Sequence, residues 1–247
     1  MWFKCEFLQH CGVFKTRGAF NRQIAALETG EISDAGIVFA SGGNAGLAQA
    51  FVARELGIRA TVFVTLAAPE VRVDVIQTYG AEVPRVGAEY AEAHQAATAF
   101  AQESGAASAH AYDQPEVAAG AGTIGEEILQ DEPAISTIVV SVGGGGLRGC
   151  PRCGSPARSG RSGRAGALPH LEHSHDRRAP GRCLGVRCVA ADALGARRIG
   201  AFALAAQEAE PPISVLVTDD DIVATRSMLW REYRMPSEFA LPLPTPR

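Results

Sequence analysis

The chain is short of lysine. Of its 23 basic residues only Lys4 and Lys15 are lysines; the other 21 are arginines. A guanidinium stays protonated and chemically inert, so an amine able to lose its proton and attack a carbonyl exists at those two places alone. Strong charge of either sign is lacking too. A net charge of −4 and a pI near 5.9 remove the electrostatic ground for expecting nucleic acid or an anionic membrane surface as a partner. No apolar run reaches the about 18 residues that a membrane span needs, and no opening stretch reads as a signal peptide. A cytoplasmic location is the expectation.

What is present can fold. A chain of 247 residues, 47% of them hydrophobic, can bury the core of one large domain or two smaller ones. Short apolar runs that read as strands, GIVFA (36–40), RATVFV (59–64), SAHAY (108–112) and TIVVSV (137–142), alternate with helical patterns through residue 147. AEVPRV (81–86) is a weaker strand, since Pro84 cannot donate to a ladder. Helices are expected over NAGLAQAFVAREL (44–56), from Pro69 to a stop at Gly80, over 88–104, and over EVAAGAGTIGEEILQ (116–130). Alternation of this kind predicts βαβ units and a parallel sheet, an α/β fold.

Two glycine-rich loops fall at carboxyl ends of these strands, where open α/β sheets place ligands. ASGGNAG (40–46) leads straight into a helix, so close backbone approach and the helix N-terminus both favour an anion. SVGGGGL (141–147) offers four successive residues without a Cβ, able to form a nest of N–H groups around a phosphate. Neither is specific alone, and neither fits the dinucleotide fingerprint or the P-loop. Lys15 could be a solvated surface lysine, Asn44 a helix N-cap and Ser41 a turn residue. An amine together with cradles for a phosphate and a carboxylate is, however, the equipment for pyridoxal phosphate and an amino acid.

LQHCGVFKTRGAFNR, ASGGNAG and SVGGGGL, in that order, resemble the serine/threonine dehydratases (threonine ammonia-lyases) of the tryptophan-synthase-β-like fold, pyridoxal-phosphate fold type II. The resemblance covers about 1–147 and resumes over about 189–235. It implies two open parallel-sheet domains, a large cofactor-binding one from 1–34 and 115–247 and a small substrate-side one at 35–114. It makes Lys15 the catalytic lysine that bonds the cofactor and removes the Cα proton, with Phe14 against the ring and Asn44 on the ring hydroxyl. Gly143, Gly144, Gly145 and Gly146 would hold the phosphate, with Leu147 closing the loop. Ser41, Gly42, Gly43, Asn44 and Ala45 would hold the substrate carboxylate. The implied reaction is dehydration and deamination of L-threonine or L-serine to a 2-oxo acid and ammonia, by an expected homo-oligomer. Family members that racemise serine carry a serine where Gly42 stands here, which favours dehydration. Cysteine-synthase-like β-replacement, serine racemisation and a catalytically dead fragment are the alternatives.

Residues 148–188 change character. They hold nine of the 21 arginines, four of the six cysteines and three of the six histidines, and no strand-like apolar run. Three readings are open. Translation out of frame is favoured, because GC-rich codons read out of register yield Arg, Gly, Pro and Ala. The others are a basic disordered insert and a metal site built from Cys150, Cys153, His170, His173, His175, Cys183 and Cys188. The resemblance places a helix, a sheet strand and acidic cation ligands here. It also implies further residues before Trp2 and, after Pro236, a tail carrying the partner of the pyridine nitrogen. The fold is therefore expected to be incomplete. Sequencing the coding DNA across codons 146–190 should reveal a single-base change that restores family-like sequence; an unbroken frame selects the insert or the metal site.

Overall fold

Strand β1 (Ile37–Ala40) is buried at every position, and its unit is built around it. The computed structural model describes residues 1–147, 160–165, 189–194, 196, 198–209 and 213–239. The chain forms two compact units, Leu8–Gly120 and Met1–Phe7 with Ala121–Arg247, and the break at Gly120 falls inside one helix.

In the unit Leu8–Gly120, β1 pairs in parallel with β2 (Ala60–Phe63) on one side and β3 (Ala107–Ser108) on the other, giving the order β2-β1-β3. AEVPRV lies along the far edge of β2 as two isolated parallel bridges, Thr61 to Glu82 and Val64 to Arg85. Pro84 gives no N–H, but its carbonyl accepts from the Val64 N–H at 3.0 Å, so the interrupted strand still extends the sheet. Helices α2 (Asn44–Leu56) and α3 (Glu70–Thr78) cover the face carrying Ile37 and Val62, through Ala50, Ala53, Val73 and Ile76. Helix α4 (Tyr90–Ser104) covers the face carrying Val38, Ala40 and Phe63, through Ala93 and Ala97. Side chains alternate along a strand, so a run buried on both faces must read as continuously apolar, and IVFA does.

Helix α1 (Lys15–Glu28) has no counterpart among the expected elements. Its buried residues include Thr16, Arg22 and Gln23, so no apolar stripe announces it. Thr16 bonds locally, to the His10 and Val13 carbonyls, whereas Arg22 and the Gln23 amide reach distant partners. Arg22 pairs with both Glu31 oxygens, 2.7 Å from Nη1 to Oε2, and also donates to the Ser108 carbonyl. The Gln23 amide donates to Gln49 Oε1 at 2.7 Å on α2. The Arg22 guanidinium holds the Glu31 carboxyl below its ordinary range.

Of SAHAY only Ser108 is strand, as the second residue of β3. Ala109 continues the pairing through its N–H to the Val38 carbonyl at 3.2 Å. The chain then turns at His110, whose ring captures the next amides, and α5 (Pro115–Asp131) begins.

In the other unit, β4 (Ile138–Ser141), β5 (Gly160–Ala165) and β6 (Ile213–Val217) form a parallel sheet in that order. β5, GRSGRA, lies in the stretch read as devoid of strands. It pairs on both sides, Ser141 with Gly163 and Arg161 with Ile213, because a ladder is made by backbone groups and needs no apolar pattern. The rest of 148–188, including its cysteines and histidines, lies outside the described residues. α6 (Ala191–Leu194), α7 (Ala201–Ala209) and α8 (Asp219–Tyr233) complete the unit; α8 starts with a capping box between Thr218 and Asp221. Near the chain start, the Lys4 amine meets Glu127 Oε2 at 2.8 Å and Asp131 Oδ2 at 3.1 Å on α5.

α1 and the start of α5 cross at two glycines. A Cβ on Gly120 would sit 2.5 Å from the Arg17 carbonyl oxygen and 2.8 Å from Gly18 Cα, and one on Gly18 would sit 2.7 Å from the Val117 carbonyl oxygen. Alanine is worth about 1 kcal/mol over glycine in a helix interior, but these clashes are with backbone that cannot swing aside. Gly120→Ala should therefore lose about 1–3 kcal/mol of stability, read as a lower urea midpoint at unchanged slope; a midpoint at or above wild type would refute the crossing.

Candidate active site

Lys15 is the first residue of α1, and its amine donates to the Ala111 carbonyl at 2.8 Å, just past β3. Removal from water pushes its pKa down from the usual 10.5 to about 8, since burial penalises the ammonium form. Among the described residues no carboxylate pairs with it, which distinguishes it from Lys4, held up by Glu127 and Asp131. The Phe14 ring lies 5.0 Å from Nζ, at the helix N-cap. Thr16, buried beneath, has its hydroxyl 2.8 Å from both the His10 and Val13 carbonyls, and so ties the preceding turn to the helix that carries Lys15. That turn is strained: Cys11 holds φ +48, an uncommon conformation for a residue with a side chain.

The loop Ser41–Ala45 leaves the carboxyl end of β1, next to the end of β3 that leads to Ala111. Lys15 Nζ and the loop thus share one end of this sheet. Ser41, Gly42, Gly43, Asn44 and Ala45 are all half-buried, within reach of a small solute. Ser41 Oγ accepts from the Gly43 N–H at 3.1 Å and shapes the turn. Gly43 is the N-cap of α2 and Asn44 its first residue, so the cap reading of Asn44 is corrected. The amides of a first helical turn have no acceptor within the helix and can take an anion. Arg72 of α3 adds positive charge beside the loop, its Nη1 3.5 Å from where a Gly43 Cβ would be. Gly46 is obligatory for a different reason: a Cβ there would lie 1.9 Å from the Ser41 carbonyl oxygen.

In the other unit, Gly143–Leu147 follows β4 after the single residue Val142. Gly145 adopts φ +86, and a Cβ on it would meet the Ala203 Cβ at 2.4 Å and Ile199 Cγ1 at 3.1 Å. The Gly144 carbonyl accepts from the Gly200 N–H at 2.9 Å, clamping the loop to the start of α7. Gly145 and Gly146 are buried; Gly143, Gly144 and Leu147 are half-buried. At Gly145 the loop packs so closely on Ala203 and Ile199 that a side chain there would displace it. Among the described residues no cluster of His, Cys, Asp or Glu could hold a metal ion, and no helix is long and apolar enough to cross a membrane.

A desolvated lysine amine at the carboxyl end of one parallel sheet, and a glycine cradle at the carboxyl end of another, define a class: α/β enzymes that keep a carbonyl cofactor bearing an anionic group. Both features fit pyridoxal phosphate, the amine by a pKa lowered to about 8, which gives it a larger neutral fraction near physiological pH than an ordinary lysine, the cradle by lacking the Cβ atoms that would fill it. The chain belongs to the pyridoxal-phosphate dependent enzyme family, which matches residues 1–149. It is 43% identical over 147 residues to the L-threonine ammonia-lyase of Geobacter sulfurreducens, covering 60% of this chain and 36% of that one. Maize serine racemase superposes with a TM-score of 0.90 at 26% identity, covering 96% of this chain and 72% of that one. The processed form of threonine deaminase isoform 2 from Solanum lycopersicum gives 0.88 at 26% identity, covering 96% and 66%. The fold is the tryptophan-synthase-β-like one, and the match spans about a third of the curated relatives' length.

His110, Ala111 and Arg72 were not singled out from sequence. Arg72 carries no local signal, whereas the turn residues before Pro115 could have flagged His110–Asp113 as a loop. The lowered pKa of Lys15 is testable on the free protein, where two lysines make the mapping unambiguous. Reductive alkylation followed across pH by peptide mass should modify Lys15 with a midpoint near pH 8 and Lys4 only in a higher range. Coincident profiles would show that the amine is solvated.

Proposed function

We propose that the chain is an ammonia-lyase that dehydrates and deaminates L-threonine or L-serine to a 2-oxo acid and ammonia, using pyridoxal phosphate. The observation that carries the reading is the Lys15 amine, desolvated beside Phe14 at the carboxyl end of the sheet. The named activity of the Geobacter sulfurreducens relative supports the substrate class. When bound, the cofactor takes up the electron pair left at the substrate Cα as the proton departs. Phe14, Lys15, Asn44 and Gly143–Leu147 would hold it. The amides of Ser41–Ala45 would bind the substrate carboxylate and fix the Cα–H bond relative to Lys15. With a pKa of about 8, Nζ can take that proton near neutral pH and deliver it on to the leaving hydroxyl.

Serine racemisation is the second reading, since a serine racemase is among the structural neighbours. Gly42 argues against it, for glycine has no proton to return to the opposite face. Its position would admit a small side chain, the nearest atom to a Cβ being Ala68 Cβ at 3.4 Å. The reading extends to a homo-oligomer acting on free amino acids in the cytoplasm, in keeping with a net charge of −4. Purified protein incubated with pyridoxal phosphate and treated with borohydride should carry the cofactor covalently on Lys15. L-Threonine or L-serine should release 2-oxo acid and ammonia in equal amounts. Lys15→Ala and Lys15→Arg should both abolish release, because the arginine restores charge but not a removable proton. Label on Lys4 alone, or undiminished turnover in Lys15→Arg, would overturn the proposal.

A further inference from the structure

The acceptor of the Lys15 amine is a backbone carbonyl in a turn, and the orientation of that carbonyl has an identifiable cause. His110 Nδ1 accepts from the Tyr112 N–H at 3.3 Å and the Asp113 N–H at 2.9 Å. The Tyr112 N–H and the Ala111 C=O belong to one planar trans peptide and point in opposite directions. Capturing the N–H on one side with an imidazole therefore aims the carbonyl to the other, where Lys15 Nζ meets it at 2.8 Å. The residue is itself steadied: the His110 backbone N–H donates to Gln114 Oε1 at 2.7 Å, Gln114 Nε2 donates to the Ser108 carbonyl at 3.3 Å, and the Tyr112 ring packs edge-on against the imidazole at 4.7 Å. The same Ser108 carbonyl accepts from buried Arg22 of α1, so the turn is anchored to the helix that bears the lysine.

We infer that His110 is a positioning residue for Lys15, acting through the Ala111–Tyr112 peptide. The role needs Nδ1 unprotonated, and it reproduces with a ring nitrogen what an asparagine oxygen does when it accepts from the amides two and three residues ahead. Asparagine is therefore the conservative replacement, and phenylalanine keeps an aromatic ring while removing the acceptor. The inference rests on reading Lys15 as the reactive amine, but its test needs no cofactor.

The test is the pH profile of Lys15 alkylation in the full-length free protein, with Lys4 as internal reference. Loss of a fixed acceptor for the ammonium, in surroundings that still keep the amine partly from water, should lower the Lys15 midpoint by about one pH unit in His110→Phe. His110→Asn should restore the wild-type midpoint, and Lys4 should be unchanged in both. A profile unmoved in a His110→Phe protein that melts as wild type would overturn the inference. A midpoint rising toward that of Lys4 would overturn it too, since the ring would then merely exclude water. If His110→Phe does not fold, amide exchange in the unmutated chain decides: slowed exchange at Tyr112 and Asp113 supports the capture by Nδ1, and exchange at the rate of an open loop refutes it. Failure of the borohydride experiment leaves these profiles readable, so the two readings fail separately.

Discussion

Parallel pairing of β1 with strands on both sides is the constraint on which its unit hangs. With both edges bonded and both faces covered, β1 has no freedom in register. A slip of one residue would turn Ile37 and Val38 to opposite layers and break both cores. Parallel strands also bring their carboxyl ends to one side, so Ser41 and the segment from Ala109 to Ala111 emerge there as neighbours. The loop Ser41–Ala45 and the acceptor of the Lys15 amine are set by one ladder.

Around that scaffold, polar groups are arranged by backbone more than by charge. Lys15 meets a carbonyl, Ser41 a backbone amide, and Gly144 a backbone amide of its own unit. A carbonyl acceptor leaves the lysine amine with little electrostatic support, and desolvation then sets its pKa. Opposing carboxylates at the same place would hold the ammonium, as they do at Lys4. The contrast between two lysines in one chain shows how partner choice divides a cation held by carboxylates from an amine whose pKa burial lowers.

Much of the architecture was legible because its elements are locally consistent. NAGLAQAFVAREL is α2 to the residue, since an amphipathic run is bounded by a glycine turn before it and Gly57, at φ +68, after it. α1 was not legible, because it buries Arg22 and Gln23 against partners on β3 and on α2, and no local window of sequence contains those partners. SAHAY alternates like a strand, yet His110 diverts its amides into a turn. GRSGRA has no apolar pattern, yet β5 pairs along both edges. Each departure has one cause: a hydrogen bond to a distant or non-backbone partner outweighed the local preference.

The site divides in the same way. From the sequence alone come the rarity of lysine, its place beside Phe14, and glycine runs after two strands. Those follow from chemistry that a residue type either has or lacks, whatever its surroundings. Only the tertiary structure decides that Lys15 rather than Lys4 is desolvated, that Gly145 and Gly46 cannot carry a Cβ while Gly42 can, and that His110 aims the carbonyl that receives the amine. Burial, close approach and peptide orientation are properties of atoms brought together across tens of residues, and no residue's identity contains them.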